Sequence, residues 1–152
     1  MNKTKGIIIS ILIPNIIGII SALISNVSDN INTFNKPSIT PPGLVFPIIW
    51  TILYVLMGIS SYLIYSDNSN YKNKPLIIYG IQLLLNGVWT ILFFKYKFFL
   101  LSFIAILVLI ALNIYLIIEY YKINKTASYL QIPYIIWLVF ASILSYYVYL
   151  LN

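Results

Sequence analysis

Three tryptophans and two amides are the residues of this chain best placed to do chemistry. Trp50, Trp89 and Trp137 each lie deep inside an uncharged stretch, and Gln82 and Asn86 precede Trp89 by seven and three residues. At helical spacing, Pro42, Phe46, Trp50 and Tyr54 share one face, Gln82, Asn86 and Trp89 share another, and Pro133, Trp137, Ala141 and Ser145 a third. Indole faces suit large, flat, conjugated molecules, and a few amides among them would orient such a guest. Helix-to-helix packing through rings, amides and small residues is the simpler use of the same pattern. Conventional catalysis lacks material: there is no Cys and no His, and the three carboxylates, Asp29, Asp67 and Glu119, fall in loops or at a helix end. Thiolate chemistry, zinc sites and ordinary haem ligation are thereby excluded, and no metal site is expected.

The elements that must hold these residues are membrane helices. Of the 152 residues, 61% are hydrophobic and only 8% charged, and the mean hydropathy is +0.95, which a water-exposed surface could not tolerate. Charges delimit five uncharged runs, 6–28, 37–66, 75–94, 98–118 and 126–152. Each is long enough to cross a hydrocarbon core of about 30 Å as a helix. Helices are predicted over about 6–25, 43–66, 75–94, 98–121 and 127–151. The expected fold is an all-α membrane protein, a single five-transmembrane-helix bundle occupying 1–152 as one domain. Strand-like alternation is missing, so a β-barrel is disfavoured.

The net charge of +6 comes from nine lysines, none inside a predicted span, so they read as topology signals and not as a nucleic-acid surface. Lys3, Lys5, Lys72, Lys74, Lys122 and Lys125 fall on the side of the N-terminus, and Lys36, Lys95 and Lys97 on the other. The positive-inside rule then places the N-terminus in the cytoplasm. The first span, interrupted by Pro14-Asn15 and lacking a clear cleavage site, reads as a retained helix and not as a signal peptide.

The longest connection, about 26–42, is the one segment able to act as a lid, and Pro41 and Pro42 end it by presetting a new helix. Pro133 inside the fifth span predicts a kink. Most of the tyrosines, among them Tyr65, Tyr71, Tyr96, Tyr120, Tyr121, Tyr129 and Tyr149, read as an interfacial belt. Glu119 and Lys122 read as a solvated pair. No internal repeat is visible, which argues against an inverted-repeat transporter.

The segment KPSITPPGLVFPIIWTILYVLMGISSYLIY from Lys36 to Tyr65 closely resembles the signature of the TspO/MBR family, the tryptophan-rich sensory proteins and mitochondrial translocator proteins. YGIQLLLNGVWTILFF and ASYLQIPYIIWLVFASILSYYVYLLN agree in order and spacing. The resemblance implies a five-helix bundle, often dimeric, whose pocket, closed by the first loop, binds porphyrins. It assigns ligand contacts to Trp50, Asn86, Trp89, Trp137 and Ala141, beside which Phe46 and Tyr54 share the Trp50 face. It further implies, from some bacterial members, light-dependent breakdown of protoporphyrin in which Trp50 and Trp137 take part. The chain departs from the family at Ile39 and at Asn30-Ile31, where aromatic residues are common, so a less aromatic lid is expected. The acidic residue frequent early in the fourth span is replaced by Ala105, and the usual Asn late in the fifth by Ser145. The C-terminal run lacks a base after its tyrosines, so cholesterol binding is not carried over.

The resulting expectation is a tetrapyrrole-binding sensor or scavenger in the cytoplasmic membrane of a bacterium. Protoporphyrin IX or a relative is the expected ligand, with no required cofactor. The macrocycle would insert between Trp50, Trp89 and Trp137 while its propionates pair with Lys36 in the lid beside Pro41 and Pro42. The alternatives are a light-dependent porphyrin-degrading enzyme and a small transporter of porphyrins or lipids. The expected partners are the bilayer and a second copy of the chain, the latter through small residues such as Gly80 and Gly87.

Overall fold

The computed structural model describes residues 2–152, and five of its helices are long and apolar enough to cross a membrane. They are α1 (Lys3–Ser25), α3 (Val45–Tyr65), α4 (Asn73–Thr90), α5 (Phe99–Ile123) and α6 (Lys125–Leu151). A single turn, α2 (Val27–Asn30), follows α1, and α4 ends in a π-helical turn, Ile91–Lys95. In lipid the backbone must satisfy its own hydrogen bonds, so the helices run unbroken through Pro14 and Pro133.

The boundaries follow local capping chemistry. The Asn2 side chain accepts from the Thr4 N–H at 2.9 Å and starts α1 earlier than hydropathy alone predicts. Asn26 ends that helix in the left-handed conformation, with φ 48°, a geometry Asn tolerates better than most residues. Between α5 and α6 lies only Asn124, whose extended backbone reverses the chain while its side chain accepts from the Ala127 N–H at 3.1 Å.

Packing closes the helices into a ring in the order α1, α3, α6, α5, α4, with α1 completing the circle against α4. Close approach of α1 to α3 depends on Gly58, where a Cβ would stand 2.5 Å from the Ser10 carbonyl oxygen and 2.6 Å from the Ile11 Cα. Gly87 does the same for α4, since its Cβ would meet Ser21 Oγ at 2.7 Å. That contact corrects one expectation: Gly87 is consumed inside the bundle and is not open to a second copy, whereas nothing lies within 4 Å of a Cβ at Gly80. Tyr120 is a second correction, for it is fully buried beside Ser61 and does not belong to the interfacial belt. Glu119 and Lys122 form the expected exposed pair, at 3.0 Å.

Candidate functional site: an aromatic cage under a pinned lid

Trp50 is the hub of the site. Its ring stacks on Tyr54 at 5.5 Å and stands 6.2 Å from each of Trp89, Tyr134 and Trp137, so α3, α4 and α6 converge on one indole. Phe46, one turn earlier, meets Trp137 edge-on at 5.9 Å. Trp89 and Trp137 are nearly buried, and the indole N–H of each has no hydrogen-bond partner among the described residues. Ile106 and Leu109 of α5, with Leu138 and Ala141 of α6, complete the walls. Ring centroids at these separations lie in the favourable range for offset and edge-to-face pairs.

The floor of the cage is polar and closed. Tyr54 Oη donates to Asn86 Oδ1 at 2.8 Å, and Asn86 Nδ2 donates to Tyr134 Oη at 2.7 Å. Asn86 thus ties α3 to α6 from its place on α4, which accounts for an amide in mid-membrane that is only 1% exposed. Above this floor the space among the rings is too narrow to hold even a water molecule. Pockets that enclose drug-sized ligands run to roughly 300–1,000 Å³. A porphyrin-sized guest therefore requires the lid and rings to move apart.

The lid is fixed at two points. Phe34 inserts its ring among Phe93, Phe94 and Phe99 with centroids 5.4, 6.2 and 5.3 Å away, and Phe93 in turn stacks on Trp89 at 5.3 Å. Phe93 and Phe94 belong to the π-helical turn. Beside this plug, the Asn35 N–H donates to Asn152 Oδ1 at 3.0 Å and Asn152 Nδ2 donates to the Asn35 carbonyl at 2.8 Å. Asn35 Nδ2 adds a bond to the Leu151 carbonyl at 3.3 Å.

Each residue singled out in the sequence can now be placed. Phe46, Trp50, Tyr54, Asn86, Trp89, Trp137 and Ala141 all meet at the cage. Pro42 and Pro133 do not, because both are exposed; Pro42 precedes the first turn of α3, and the inward position a turn before Trp137 belongs to Tyr134. Pro41 and Pro42 lie between the lid segment and α3, with the Val45 N–H donating to the Pro42 carbonyl at 2.9 Å. Lys36 is held within the lid: its ammonium donates to the Ile31 carbonyl and to Asn32 Oδ1 and lies over the Phe34 ring. Lys97, at the same end of the bundle, lines an open cleft of about 480 Å³ with Phe98, Phe99, Tyr149 and Asn152. Sequence reasoning missed Phe34, Phe93, Phe99, Tyr134 and Asn152, and the four phenylalanines flanking the α4–α5 turn, Phe93, Phe94, Phe98 and Phe99, were the one available signal.

Comparison with known proteins agrees with the geometry. The chain is 34% identical over 122 residues to the tryptophan-rich protein TspO of Chlorobaculum tepidum, an alignment covering 79% of this chain and 77% of that protein. It is 38% identical over 117 residues to the protein of the same name from Archaeoglobus fulgidus, covering 77% and 76%. The human translocator protein matches at 32% over 114 residues, 73% of this chain and 68% of its own length. The sequence profile of the TspO/MBR family matches residues 10–151, so α3 to α6, all but the first two turns of α1, the lid and every cage residue lie within the match. With its tryptophans converging from α3, α4 and α6 beneath a first-loop lid, the chain belongs to the TspO/MBR family.

Proposed function

We propose that this membrane protein binds a tetrapyrrole, with protoporphyrin IX as the reference ligand, between the indoles of Trp50, Trp89 and Trp137. The observation that carries this reading is the convergence of three tryptophans and two tyrosines on one centre, with two buried indole N–H groups left to meet acceptors on a guest. A macrocycle replacing ring-to-ring contacts keeps the stacking surface occupied while its polar edge stays toward the lid end. Lys97 is better placed than Lys36 to meet propionates there, because Lys36 is already engaged within the lid. Lacking His and Cys, the site favours a metal-free ring over a ligated iron.

The test is a dark titration of the purified protein with protoporphyrin IX, following tryptophan quenching and the Soret shift on the same sample. Saturation near one porphyrin per chain, weakened about tenfold by Trp137→Phe, supports the cage. Partitioning indistinguishable from empty micelles rejects it.

The contact of Trp50 with both other indoles favours one further reading, photo-oxidative turnover of the bound pigment. With dioxygen as the oxidant, an excited porphyrin gives it an electron, and the superoxide formed adds to the porphyrin radical cation to begin ring opening, while an adjacent indole can return an electron to that cation; no acid–base residue is needed. Soret absorbance that decays under light no faster with the wild type than with Trp50→Phe removes this reading. We further infer a cytoplasmic N-terminus from the lysine distribution in a bacterial cell membrane, and a homodimer in which the open face at Gly80 receives the second copy. Reporter fusions at the C-terminus and cysteine cross-linking at position 80 check these two statements.

A further inference from the structure

Beneath the cage floor the bundle changes character. Gln82, one turn from Asn86 on the side away from the lid, is fully buried, and neither its amide nitrogen nor its amide oxygen has a partner among the described residues. The Tyr79 hydroxyl, three residues earlier on the same face, lies beside Ser61 without a hydrogen bond of good geometry. Asn113 of α5 is fully buried as well; its Nδ2 donates to Gln131 Oε1 at 3.2 Å while its Oδ1 is unpartnered. Trp89 and Ile106 line the same wall of the cage on antiparallel helices. Seven residues back from Trp89 is Gln82 and seven on from Ile106 is Asn113, two helical turns in each case, so the two amides stand at one level of the bundle.

Polar atoms left unpaired in apolar surroundings are costly, and lipid offers them nothing. We propose that α4 and α5 enclose here a second, polar binding site, and that its ligand is water. The chemistry selects it. Two amide oxygens require donors while the Gln82 N–H groups and the Tyr79 hydroxyl require acceptors, so the ligand must both donate and accept. Among the described residues no charged side chain lies at this level to match an ion, and surroundings this buried exclude a large molecule. Buried waters make about three hydrogen bonds each to such groups. The site is separate from the cage because Asn86 spends its amide on Tyr54 and Tyr134, closing the floor between them. Gln131 supplies the contrast: its Nε2 donates to Ser60 Oγ at 3.1 Å and its Oε1 accepts from Asn113, so both ends are satisfied by protein.

The chain contains only two glutamines, Gln82 and Gln131, which makes the test direct. Protein labelled with ¹⁵N at glutamine side chains is placed in lipid nanodiscs with no porphyrin, and magnetisation transfer from water to each side-chain amide is measured by NMR. Gln82→Met assigns the two signals by deleting one. The expected result is strong transfer to Gln82 with at least fivefold less to Gln131. In Tyr79→Phe, which keeps the ring and removes one hydroxyl, transfer to Gln82 falls at least twofold. Absence of transfer at Gln82 overturns the proposal, since protein groups then pair the amide. Equal transfer to both glutamines also overturns it, because water would then permeate the bundle without a site, and so does unchanged transfer in Tyr79→Phe.

Discussion

A tryptophan in a membrane helix ordinarily sits at the water interface, where its N–H is hydrated. Trp89 and Trp137 do the opposite, burying indoles whose N–H groups find no partner among the described residues. The depth of Trp50 and Trp137 was legible in the sequence because each lies twelve or more residues from the nearest lysine, whereas Trp89 is only six residues from Lys95. The partners that make a cage of them were not all legible: Tyr134 was hidden among fourteen tyrosines, and helix phase alone favoured Pro133. Phe34 lies in a polar loop, and only its distance from Phe93 and Phe99 in space gives it meaning. Lys97 carries a prediction at this scale. If it meets propionates, Lys97→Gln weakens protoporphyrin IX about fivefold, near 1 kcal/mol. The uncharged dimethyl ester should bind both proteins alike in the same titration. Equal weakening of the acid and the ester would assign the loss to packing. Phe34→Ala removes three ring contacts, each worth about 0.5–1.5 kcal/mol. It should expose the lid segment to limited proteolysis while the melting temperature of the bundle changes little, and unchanged protection would show that the plug is not what holds the lid.

At the scale of elements, five spans were readable because lysines and loop carboxylates punctuate the chain, and Asn2 and Asn124 shift the helix ends by only two or three residues. The turn α2 and the π-helical turn were not readable, since neither has a hydropathy signature. Nor were the helix neighbours, because every span is apolar on most sides and lipid rewards no particular face. Glycine contacts supply the missing selectivity. Gly58 lets the α1 backbone approach α3 more closely than any side chain allows, and Gly87 seats Ser21. Gly58→Ala must therefore push α1 away, at a cost of about 1–3 kcal/mol from overpacking. In a melt of the detergent-solubilised protein, Gly58→Ala is expected to unfold several degrees lower. In the monomeric fraction, Gly80→Ala, with open space around its Cβ within the single bundle, should melt at the wild-type temperature or slightly above it, since Ala favours helix over Gly. Equal loss in both variants would mean that glycine flexibility, and not close approach, matters.

Seen as one molecule, the bundle has an aromatic half beneath the lid and a polar half toward the other membrane face. The lid joins the first loop to the end of α6, residues 117 positions apart in sequence, so no local pattern announced it. Because the cage is full of its own rings, entry of the proposed tetrapyrrole would wait on lid opening, and the Asn35–Asn152 bonds oppose that opening. Asn152→Ala deletes a reciprocal pair that is exposed to solvent, and such bonds contribute about 0.5–1.5 kcal/mol each in net terms. The open population should rise roughly tenfold, and association of protoporphyrin IX in stopped-flow quenching should accelerate by a similar factor. What happens to dissociation depends on where the lid rests when the site is occupied. Phe34 seats against Phe93, Phe94 and Phe99, outside the ring of Trp50, Trp89 and Trp137, so a guest among the indoles leaves the socket free and the lid can close over it. A latch present in both the empty and the loaded protein cancels from the equilibrium. Association and dissociation should therefore quicken together in Asn152→Ala, with Kd held within about twofold. Faster association with unchanged dissociation would mean that the loaded protein keeps its lid open, and an unaltered association rate would place the entrance elsewhere, at the Lys97 cleft between α5 and α6.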